Sequence, residues 1–335
     1  MSARGYVIFG RLRNALRYLF TDKAHFFDSL ILKLGGWLPD IVYLKLRYRC
    51  KMGYWPNLKD PKTFSEKLQW LKLYNRKPEY TTMVDKYAVK EYVSSRIGEQ
   101  YIIPTIGVWD TPDEIEWDRL PNQFVLKTTH GGGGDVVICQ DKLKLNIKAA
   151  KLKLKKSLNS DIYKECREWP YKDVRKRIIA EQYMSDGGRD LDDFEAYNSH
   201  EVSKVILSCE NGLKDYKFYC FHGVPKLVMV ATGRFEGDTR FDYFDMDWNK
   251  LSLVWDRPNS DVEIPVPPCF EEMKRICCEL CKNVPHLRCD LYVINGKPYF
   301  GELTFFDASG FCKFEDEDWN RKLGDLIVLS DNHSN

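Results

Sequence analysis

A run of four glycines between two short apolar segments is the strongest constraint that this sequence places on its fold. Residues 124–126 are apolar, Lys127 follows them, the glycines occupy residues 131–134, and residues 136–138 are apolar again. This pattern predicts two β-strands of a hairpin joined by a flexible loop. Glycines lack a Cβ atom, so the backbone N–H groups of such a loop can approach and surround an anion closely.

The lysine before the glycine loop indicates what kind of ligand the hairpin could bind. Lys127 ends the first strand, where its ammonium group lies at the mouth of the loop, and the pair predicts a polyphosphate clamp. The segment is not a Walker A loop, because no Gly-Lys-Ser/Thr follows it, and it lacks the spaced glycines of a dinucleotide fingerprint. A flexible surface hairpin without a ligand is the alternative.

The composition excludes several classes of protein. The chain has 335 residues with 51 Lys and Arg against 49 Asp and Glu, so its overall charge does not favour nucleic acid as a partner. No apolar run has the length of a membrane span, and the N-terminus lacks the apolar segment of a signal peptide. Eleven cysteines without framework spacing fit a reducing compartment, so we expect a cytoplasmic protein.

The N-terminal segment differs in character from the rest of the chain. Residues 1–51 contain ten Lys and Arg but only three Asp, and aromatic and aliphatic residues lie between them. Such a segment can lie on an anionic membrane surface, at the inner face of the membrane. The alternative is a helical extension docked on the protein with its basic face in water.

Three helices are predicted before and after the glycine hairpin. The first follows Asp60-Pro61 with Thr63 or Ser65 as its N-cap, and the second covers residues 84–93. Residues 142–156 form a lysine-rich amphipathic helix. We interpret its basic side as a solvated face and not as a nucleic-acid site, because no aromatic platform accompanies it.

The strongest strand pattern lies in the C-terminal half. Residues 177–184 and 215–221 are predicted strands, and a last pair covers residues 287–294 and 298–305 around Asn295-Gly296. A further hairpin is predicted within residues 240–255, and a helix over residues 271–282. The alternation of helices with antiparallel hairpins indicates an α+β protein.

Two carboxylates on the last hairpin form a candidate metal site. Asp290 lies on the first strand, and Glu302 and Thr304 share a face of the second, which suits a hard cation such as Mg²⁺. A two-residue turn would place Asp290 opposite Gly301 and Glu302 on the other face. We therefore predict a three-residue connection, residues 295–297, or a bulge at Gly296. An acidic pair on a solvent face is the alternative.

Two further patterns resemble metal motifs but have simpler explanations. Asp245 and Asp247 have the spacing of a glycosyltransferase metal motif, yet they fall where a strand turns, and Asp is an ordinary turn residue. A group of cysteines with one histidine invites a zinc interpretation, but there is no second pair at zinc-finger spacing. We predict buried free thiols for this group, which comprises Cys277, Cys278, Cys281, His286 and Cys289.

In combination these segments resemble the ATP-grasp superfamily, and within it the teichuronopeptide-biosynthesis, TupA-like branch. The resemblance covers roughly residues 55–325. It is carried by Asp60-Pro61-Lys62-Thr63-Phe64, Glu66-Lys67-Leu68-Gln69-Trp70, Val84-Asp85-Lys86-Tyr87, Lys127-Thr128-Thr129-His130-Gly131, Asp215-Tyr216-Lys217-Phe218 and Gly301-Glu302-Leu303-Thr304-Phe305-Phe306. It implies an ATP-grasp fold with the divisions 1–58 (basic helical segment), 59–122 (N-terminal subdomain), 123–184 (lid with the glycine loop) and 185–330 (C-terminal subdomain with the metal hairpin).

The resemblance also implies roles for individual residues. ATP would contact Lys86 and Lys127 through its phosphates, Glu181 through its adenine, and Asp215 on the ribose or phosphate side. Asp290, Glu302 and Thr304 would hold Mg²⁺, although most relatives have asparagine where this chain has Thr304. The catalytic set would be Arg288, Lys217 and Arg234. The remaining nucleotide contacts would be His130, Gly131, Gly132, Gly133, Gln182, Tyr183 and Met184.

The reaction implied by the resemblance is ATP-dependent amide formation between a carboxylate and an amine, through an acyl phosphate, in surface polysaccharide assembly. Candidate substrates are a uronic or glutamyl carboxylate and an amino acid or amino sugar, free or within a glycan. In that setting residues 1–51 would contact the membrane or glycan-assembly proteins. Arg234 and Arg240 are candidates for holding the acid, or else surface arginines in a turn. Two other functions stay open: a glycosyltransferase or sugar phosphotransferase, and a nucleotide-binding scaffold without catalysis.

Overall fold

A computed structural model describes residues 23–131, 136–185, 214–232 and 239–330 of the chain. The N-terminal part is helical, with α1 Lys23–Leu34, α2 Asp40–Met52, α3 Phe64–Tyr74, α4 Glu79–Val84 and α5 Val89–Ile97. Thr63 caps α3 in a capping box with Glu66, as the sequence indicated. Among the helices of the described ranges, none has the length and apolar character needed to cross a membrane.

A small antiparallel sheet carries the glycine hairpin. It consists of β1 Thr105–Trp109, β2 Phe124–Thr128, β3 Val137–Cys139 and β4 Ile178–Gln182, in the order β1-β4-β2-β3. The predicted hairpin is confirmed for its two strands, since β2 pairs with β3 from Phe124↔Cys139 to Leu126↔Val137. Helices α6 Ile147–Leu158 and α7 Ile162–Cys166 follow β3 in the chain.

A second, larger antiparallel sheet carries the predicted metal hairpin. Its strands are β5 Asp215–Phe221, β6 Val224–Thr232, β7 Arg240–Asp245, β8 His286–Ile294 and β9 Lys297–Thr304, in the order β7-β6-β5-β8-β9. Helix α8 Phe270–Leu280 lies between β7 and β8 in the chain, and α9 Glu317–Asp325 follows β9. The chain is therefore α+β, as predicted.

The two sheets have separate hydrophobic cores. The larger core combines the large sheet with residues of α3, α4, α5 and α8, among them Phe64, Met83, Phe218 and Met273. The smaller core lies under the small sheet and includes Phe124, Leu126, Leu154 and Ile178. Each sheet therefore packs on a cluster of apolar side chains of its own.

In the β8–β9 hairpin Asp290 and Glu302 face each other as predicted, but the irregularity that brings them into register is not at the predicted position. Asp290 pairs with Glu302, but the turn is a two-residue one, because Ile294 pairs with Lys297. The prediction of a longer connection or a bulge at Gly296 was wrong: the register shifts between Asp290 and Leu291, which leaves Gly301 as the extra residue. Asn295 and Gly296 both have positive φ, as a type I′ turn requires.

Two predicted helices have different bounds. The helix predicted over residues 84–93 is interrupted, because the Asp85 side chain accepts hydrogen bonds from the N–H groups of Tyr87 and Ala88 and so ends α4 and begins α5. The lysine-rich helix begins at Ile147 and not near residue 142, because Asn146 caps it by accepting from the N–H of Ala149.

Candidate active site

The segment between α4 and α5 joins the two sheets. The backbone N–H of Lys86 donates to the carbonyl of Thr129, just beyond β2, at 2.9 Å. Its side chain reaches the large sheet, where Nζ lies 2.8 Å from Glu302 Oε2. One residue therefore contacts the mouth of the glycine hairpin and the metal hairpin together.

Arg177 and Asp85 strengthen the same junction. Arg177 Nη2 lies 3.1 Å from Asp85 Oδ2, and the carbonyl of Arg177 accepts from the N–H of Thr129. Both side chains are largely buried, with 17% of Arg177 and 7% of Asp85 exposed. The junction thus combines a largely buried ion pair with backbone hydrogen bonds. These contacts fix the backbone of Lys86, whose side chain extends to Glu302.

Glu181, on the small sheet, forms ion pairs with two lysines, Lys127 of β2 and Lys90 of helix α5. Its carboxylate oxygens lie 2.7 Å from Lys90 Nζ and 2.6 Å from Lys127 Nζ. Burial by itself raises the pKa of Glu181, but the two ammonium groups outweigh burial and hold that pKa below its ordinary value. The carboxylate therefore stays charged and fixes Lys127 at the end of β2.

Arg288 connects the three predicted metal ligands. Its guanidinium group donates to Asp290 Oδ1 at 2.7 Å through Nε and to Thr304 Oγ1 at 3.1 Å through Nη2, and Nη2 lies 3.4 Å from Glu302 Oε1. The other terminal nitrogen of the guanidinium group, Nη1, donates to Asp307. All three predicted oxygen ligands therefore lie around one cationic group, on one face of the hairpin.

Lys217 adds a second cation to this cluster. Its ammonium group contacts Asp290 and lies 2.7 Å from Asp215 Oδ2 on its own strand. Burial lowers the pKa of Lys217, but the carboxylates of Asp290 and Asp215 outweigh burial, and the net shift is upward. Burial raises the pKa of Asp290, with Arg288 and Lys217 opposing that shift. The pKa of Glu302 lies below its ordinary value, because Lys86, Lys217 and Arg288 outweigh its burial.

The donor set fits a hard divalent cation. Asp290 and Glu302 are in direct register and Thr304 contributes a hydroxyl, all oxygen donors of the kind that Mg²⁺ prefers. In the described part of the chain, no three His, Cys, Asp or Glu side chains form a ready metal cage.

The other predicted nucleotide contacts lie farther along the small sheet. His130 is buried with Nε2 3.5 Å from Ser160 Oγ, and burial lowers its pKa. Gln182 donates its backbone N–H to Pro104, and the Tyr183 hydroxyl accepts from Gln140. Gly131 fits closely, because a Cβ there would lie 2.3 Å from Thr128 Oγ1. Gly132, Gly133 and Arg234 lie outside the described residues, and for Met184 the structure describes partial burial alone.

Two charged residues of the site were missed by the sequence interpretation. Lys90 lies in α5, whereas Lys86 precedes that helix, so helical spacing does not connect the two residues and no sequence pattern marks Lys90. Asp307 follows the motif that ends at Phe306, and its partner Arg288 is distant in the chain, so no local pattern marks it. Asp307 is nearly fully buried, and Arg288 outweighs burial to hold its pKa below the ordinary value.

The turn at Asp245 and Asp247 is as predicted, and the cysteine group is buried as predicted except at Cys278, where the prediction was wrong. Asp245 Oδ1 accepts hydrogen bonds from the N–H groups of Asp247 and Asn249, which is a turn built by the Asp side chain. The described cysteines are free, and Cys277, Cys281 and Cys289 are buried while Cys278 is exposed. Burial raises the pKa of the Cys281 thiol well above its ordinary value, as expected for an inert core thiol.

Two α+β units, a glycine hairpin on one and a carboxylate hairpin on the other, together define the ATP-grasp fold. The profile of the TupA-like ATP-grasp family matches residues 66–210 and 205–328. Because the match extends over more than half of the sequence, the chain belongs to the TupA-like ATP-grasp family, and the resemblance seen in its motifs is confirmed.

Several solved structures are similar to this chain. The D-alanine–D-alanine ligase from Helicobacter pylori is 13% identical, with 79% of this chain and 69% of that chain covered and a TM-score of 0.41. The ATP complex of the Bacillus anthracis D-alanine–D-alanine ligase is 14% identical, with coverages of 73% and 63% and a TM-score of 0.38. The ATP-grasp ligase PsnB, complexed with a phosphomimetic precursor variant, Mg and ADP, is 9% identical, with coverages of 83% and 64% and a TM-score of 0.38.

These likenesses are too distant to support arguments about individual residues of this chain. The chain spans less than two thirds of the length of the second and third of these structures. A comparison with curated proteins gave no match.

Proposed function

We propose that the protein is an ATP- and Mg²⁺-dependent carboxylate–amine ligase. The observation that carries the proposal is the position of Lys86, whose backbone contacts Thr129 beside the glycine hairpin while its ammonium group contacts Glu302 on the metal hairpin. This arrangement supports one shared cleft between the two sheets. Membership of the TupA-like ATP-grasp family supports the same class of chemistry.

The charges of the cleft suit a polyphosphate. Lys86, Lys127, Lys217 and Arg288 are cations that are already oriented by carboxylate partners. Each ion pair holds a positive group in place before substrate binds, so little reorganisation is needed when phosphate oxygens arrive. Asp290, Glu302 and Thr304 would hold Mg²⁺, which neutralises phosphate charge and polarises the transferred group when bound.

The proposed reaction has two steps. The substrate carboxylate attacks the γ-phosphorus of ATP and releases ADP, which gives an acyl phosphate. The substrate amine then attacks the acyl carbon, loses a proton, and displaces inorganic phosphate to leave an amide. In both steps Arg288 and Lys217 would balance the negative charge that develops on the transferred phosphate. The glycine hairpin is the natural cover that excludes water from the acyl phosphate.

We further propose surface polysaccharide assembly as the setting of this reaction. The family resemblance of the motifs supports a uronic or glutamyl carboxylate as the acid and an amino acid or amino sugar as the amine. The glycosyltransferase or sugar phosphotransferase alternative would use the same nucleotide clamp or the Asp245 and Asp247 pair. Asp245 is engaged in its own turn, which disfavours the second of these two routes.

A phosphate-release screen tests the proposal. Uronic acids, their nucleotide-linked forms and glutamate are combined with amino acids and amino sugars in the presence of ATP and Mg²⁺. The ligase predicts that ADP and phosphate appear only when an acid and an amine are both present, with an amide detected by mass spectrometry. Release of a nucleoside diphosphate from a nucleotide sugar without ATP would support a glycosyltransferase instead, and ATP binding without turnover on any pair would support a scaffold.

Three variants connect the assay to the site. Lys127→Ala and Glu302→Ala should each abolish turnover, because one removes a phosphate contact and the other a metal ligand. Lys144→Ala is the matched control, since that side chain is 86% exposed and pairs only with a neighbouring aspartate among the described ion pairs. Unchanged activity in Lys127→Ala or Glu302→Ala would refute the assigned role.

A further inference from the structure

The helical N-terminal part of the described chain presents an apolar stripe to solvent. Phe27, Leu30 and Leu34 share one face of α1, since they are spaced by three and four residues. Trp37, in the turn after α1, and Ile41, in the first turn of α2, are the next exposed apolar residues of this kind along the chain. Their exposed fractions are 48%, 40%, 64%, 81% and 37% in chain order. We call these five residues the apolar stripe.

The polarity of α1 is inverted relative to an ordinary amphipathic helix, whereas α2 buries Tyr43, Leu44 and Tyr48 beside Arg47. Asp28 in α1 and Arg47 in α2 are buried at 3% and 4% exposure and form an ion pair of 2.7 Å. The leucines and the tryptophan of the stripe lie outside instead. A folded chain that buries an ion pair and exposes large apolar side chains usually covers them with another surface.

The charge around the stripe is one-sided. Asp28 is bound by Arg47 and Lys51, and Asp40 is bound by Arg76 and Arg167, so both acids face the protein. Lys23 and Lys33 on α1 are exposed. The preceding residues 1–22 add four arginines and a single aspartate. The exposed apolar residues therefore lie within a net positive segment.

We propose that the apolar stripe and its neighbouring lysines form a docking surface for an anionic lipid bilayer. Apolar side chains beside lysines match the two layers of such a membrane, the acyl region and the negative headgroups. Trp37 is the most exposed of the five, and tryptophan favours the membrane–water interface. Resting on the proposed function, this surface would bring the enzyme to a substrate at the membrane.

Vesicle co-sedimentation of the full chain tests the proposal. The lipids are phosphatidylcholine alone and a 3:1 mixture of phosphatidylcholine with phosphatidylglycerol. The variant is Leu30→Ser/Leu34→Ser/Trp37→Ser, and the matched control is Leu143→Ser/Leu152→Ser/Val262→Ser, which removes exposed apolar side chains elsewhere, at 95%, 71% and 68% exposure. Trp37→Ser alone serves if the triple variant fails to fold, because its side chain is almost fully in solvent.

The expected results separate the possible occupants of the stripe. Wild type and control should bind the anionic vesicles and not the neutral ones, and the stripe variant should lose about a hundredfold in partition coefficient. Lys23→Glu/Lys33→Glu should also weaken binding, and so should high salt. Equal binding by the stripe variant and wild type would overturn the proposal and would leave residues 1–22 or another part of the chain as the cover. A wild-type dimer that the stripe variant dissociates in sedimentation velocity, without vesicle binding, would assign the stripe to a second copy and would also overturn it.

Discussion

Arg288→Met is predicted to destabilise the large sheet strongly, because one guanidinium group neutralises several buried carboxylates. Arg288 donates to Asp290 Oδ1 at 2.7 Å and to Asp290 Oδ2 at 2.9 Å, and it also donates to Asp307. The side chains of Asp290 and Asp307 are only 2% and 4% exposed. Methionine keeps most of the apolar volume of the arginine stem, so the change isolates the charge.

The size of the loss in unfolding free energy depends on which cationic partners Asp290 and Asp307 keep in the variant. Asp290 keeps Lys217, but Asp307 keeps only the imidazole of His286, 3.8 Å away, among its described ion-pair partners. Breaking a buried ion pair by removing one partner costs about 3–5 kcal/mol, and the lower end applies because one of the two carboxylates keeps a cation. We therefore expect the free energy of unfolding to fall by about 3 kcal/mol.

Urea unfolding at pH 7.5, followed by tryptophan fluorescence, measures this loss. The matched control is Arg76→Met, in which the broken pair with Asp40 is 30% and 21% exposed and Asp40 keeps Arg167. That variant should lose about 1 kcal/mol or less. If Arg288→Met lost no more than the control, the carboxylates would not depend on Arg288, and the account of the site as a cluster held by this residue would fail.

Three further predictions concern other parts of the chain. Gly324→Ala should lower the free energy of unfolding by about 1–3 kcal/mol, because the added Cβ would lie 2.3 Å from the Lys62 carbonyl oxygen. This loss should exceed the gain from the better helix propensity of alanine. Thermal unfolding measures it, and Gly36→Ala is the control, since nothing lies within 4 Å of a Cβ at that position. Burial holds the pKa of His130 below its ordinary 6.5, so the unfolded chain protonates first as the pH falls, and stability should decline below about pH 6.5. His130→Gln should flatten that part of the stability–pH curve, and an unchanged slope would contradict the argument. Glu181→Gln should cost about 1–3 kcal/mol, because a neutral amide leaves Lys90 and Lys127 uncompensated, and Lys90→Met should recover part of the loss in the double variant; additive losses would show that the two residues do not interact.

The sequence alone was sufficient for the local elements and for the class of the protein. The glycine hairpin, the strands of the large sheet and the capped helix at Thr63 follow from short-range patterns, which act over a few residues. That Asp290 and Glu302 face each other was also predictable, because two carboxylates that bind one metal ion must lie on the same face of a hairpin. The motifs together were enough to indicate the family.

Tertiary structure decided how that facing is achieved. A bulge can in principle lie at several points of a hairpin, and the sequence does not rank them. The structure places it at Gly301, where an added Cβ would lie 3.0 Å from the Asp290 carbonyl and 3.0 Å from the Tyr292 ring. Close approach of the opposite strand therefore favours glycine there, and the turn at Asn295-Gly296 stays a regular two-residue turn.

Tertiary structure also decided which charges meet. Lys90 meets Glu181 because α5 of the larger core lies against β4 of the smaller one, and Arg288 meets Asp307 because the chain after β9 returns to the beginning of β8. Residue type and spacing identify which side chains are charged, whereas partner choice depends on distances of a few ångströms in three dimensions. Ion-pair energies vary steeply with distance and burial, so only the packed structure determines which of these charges neutralise one another.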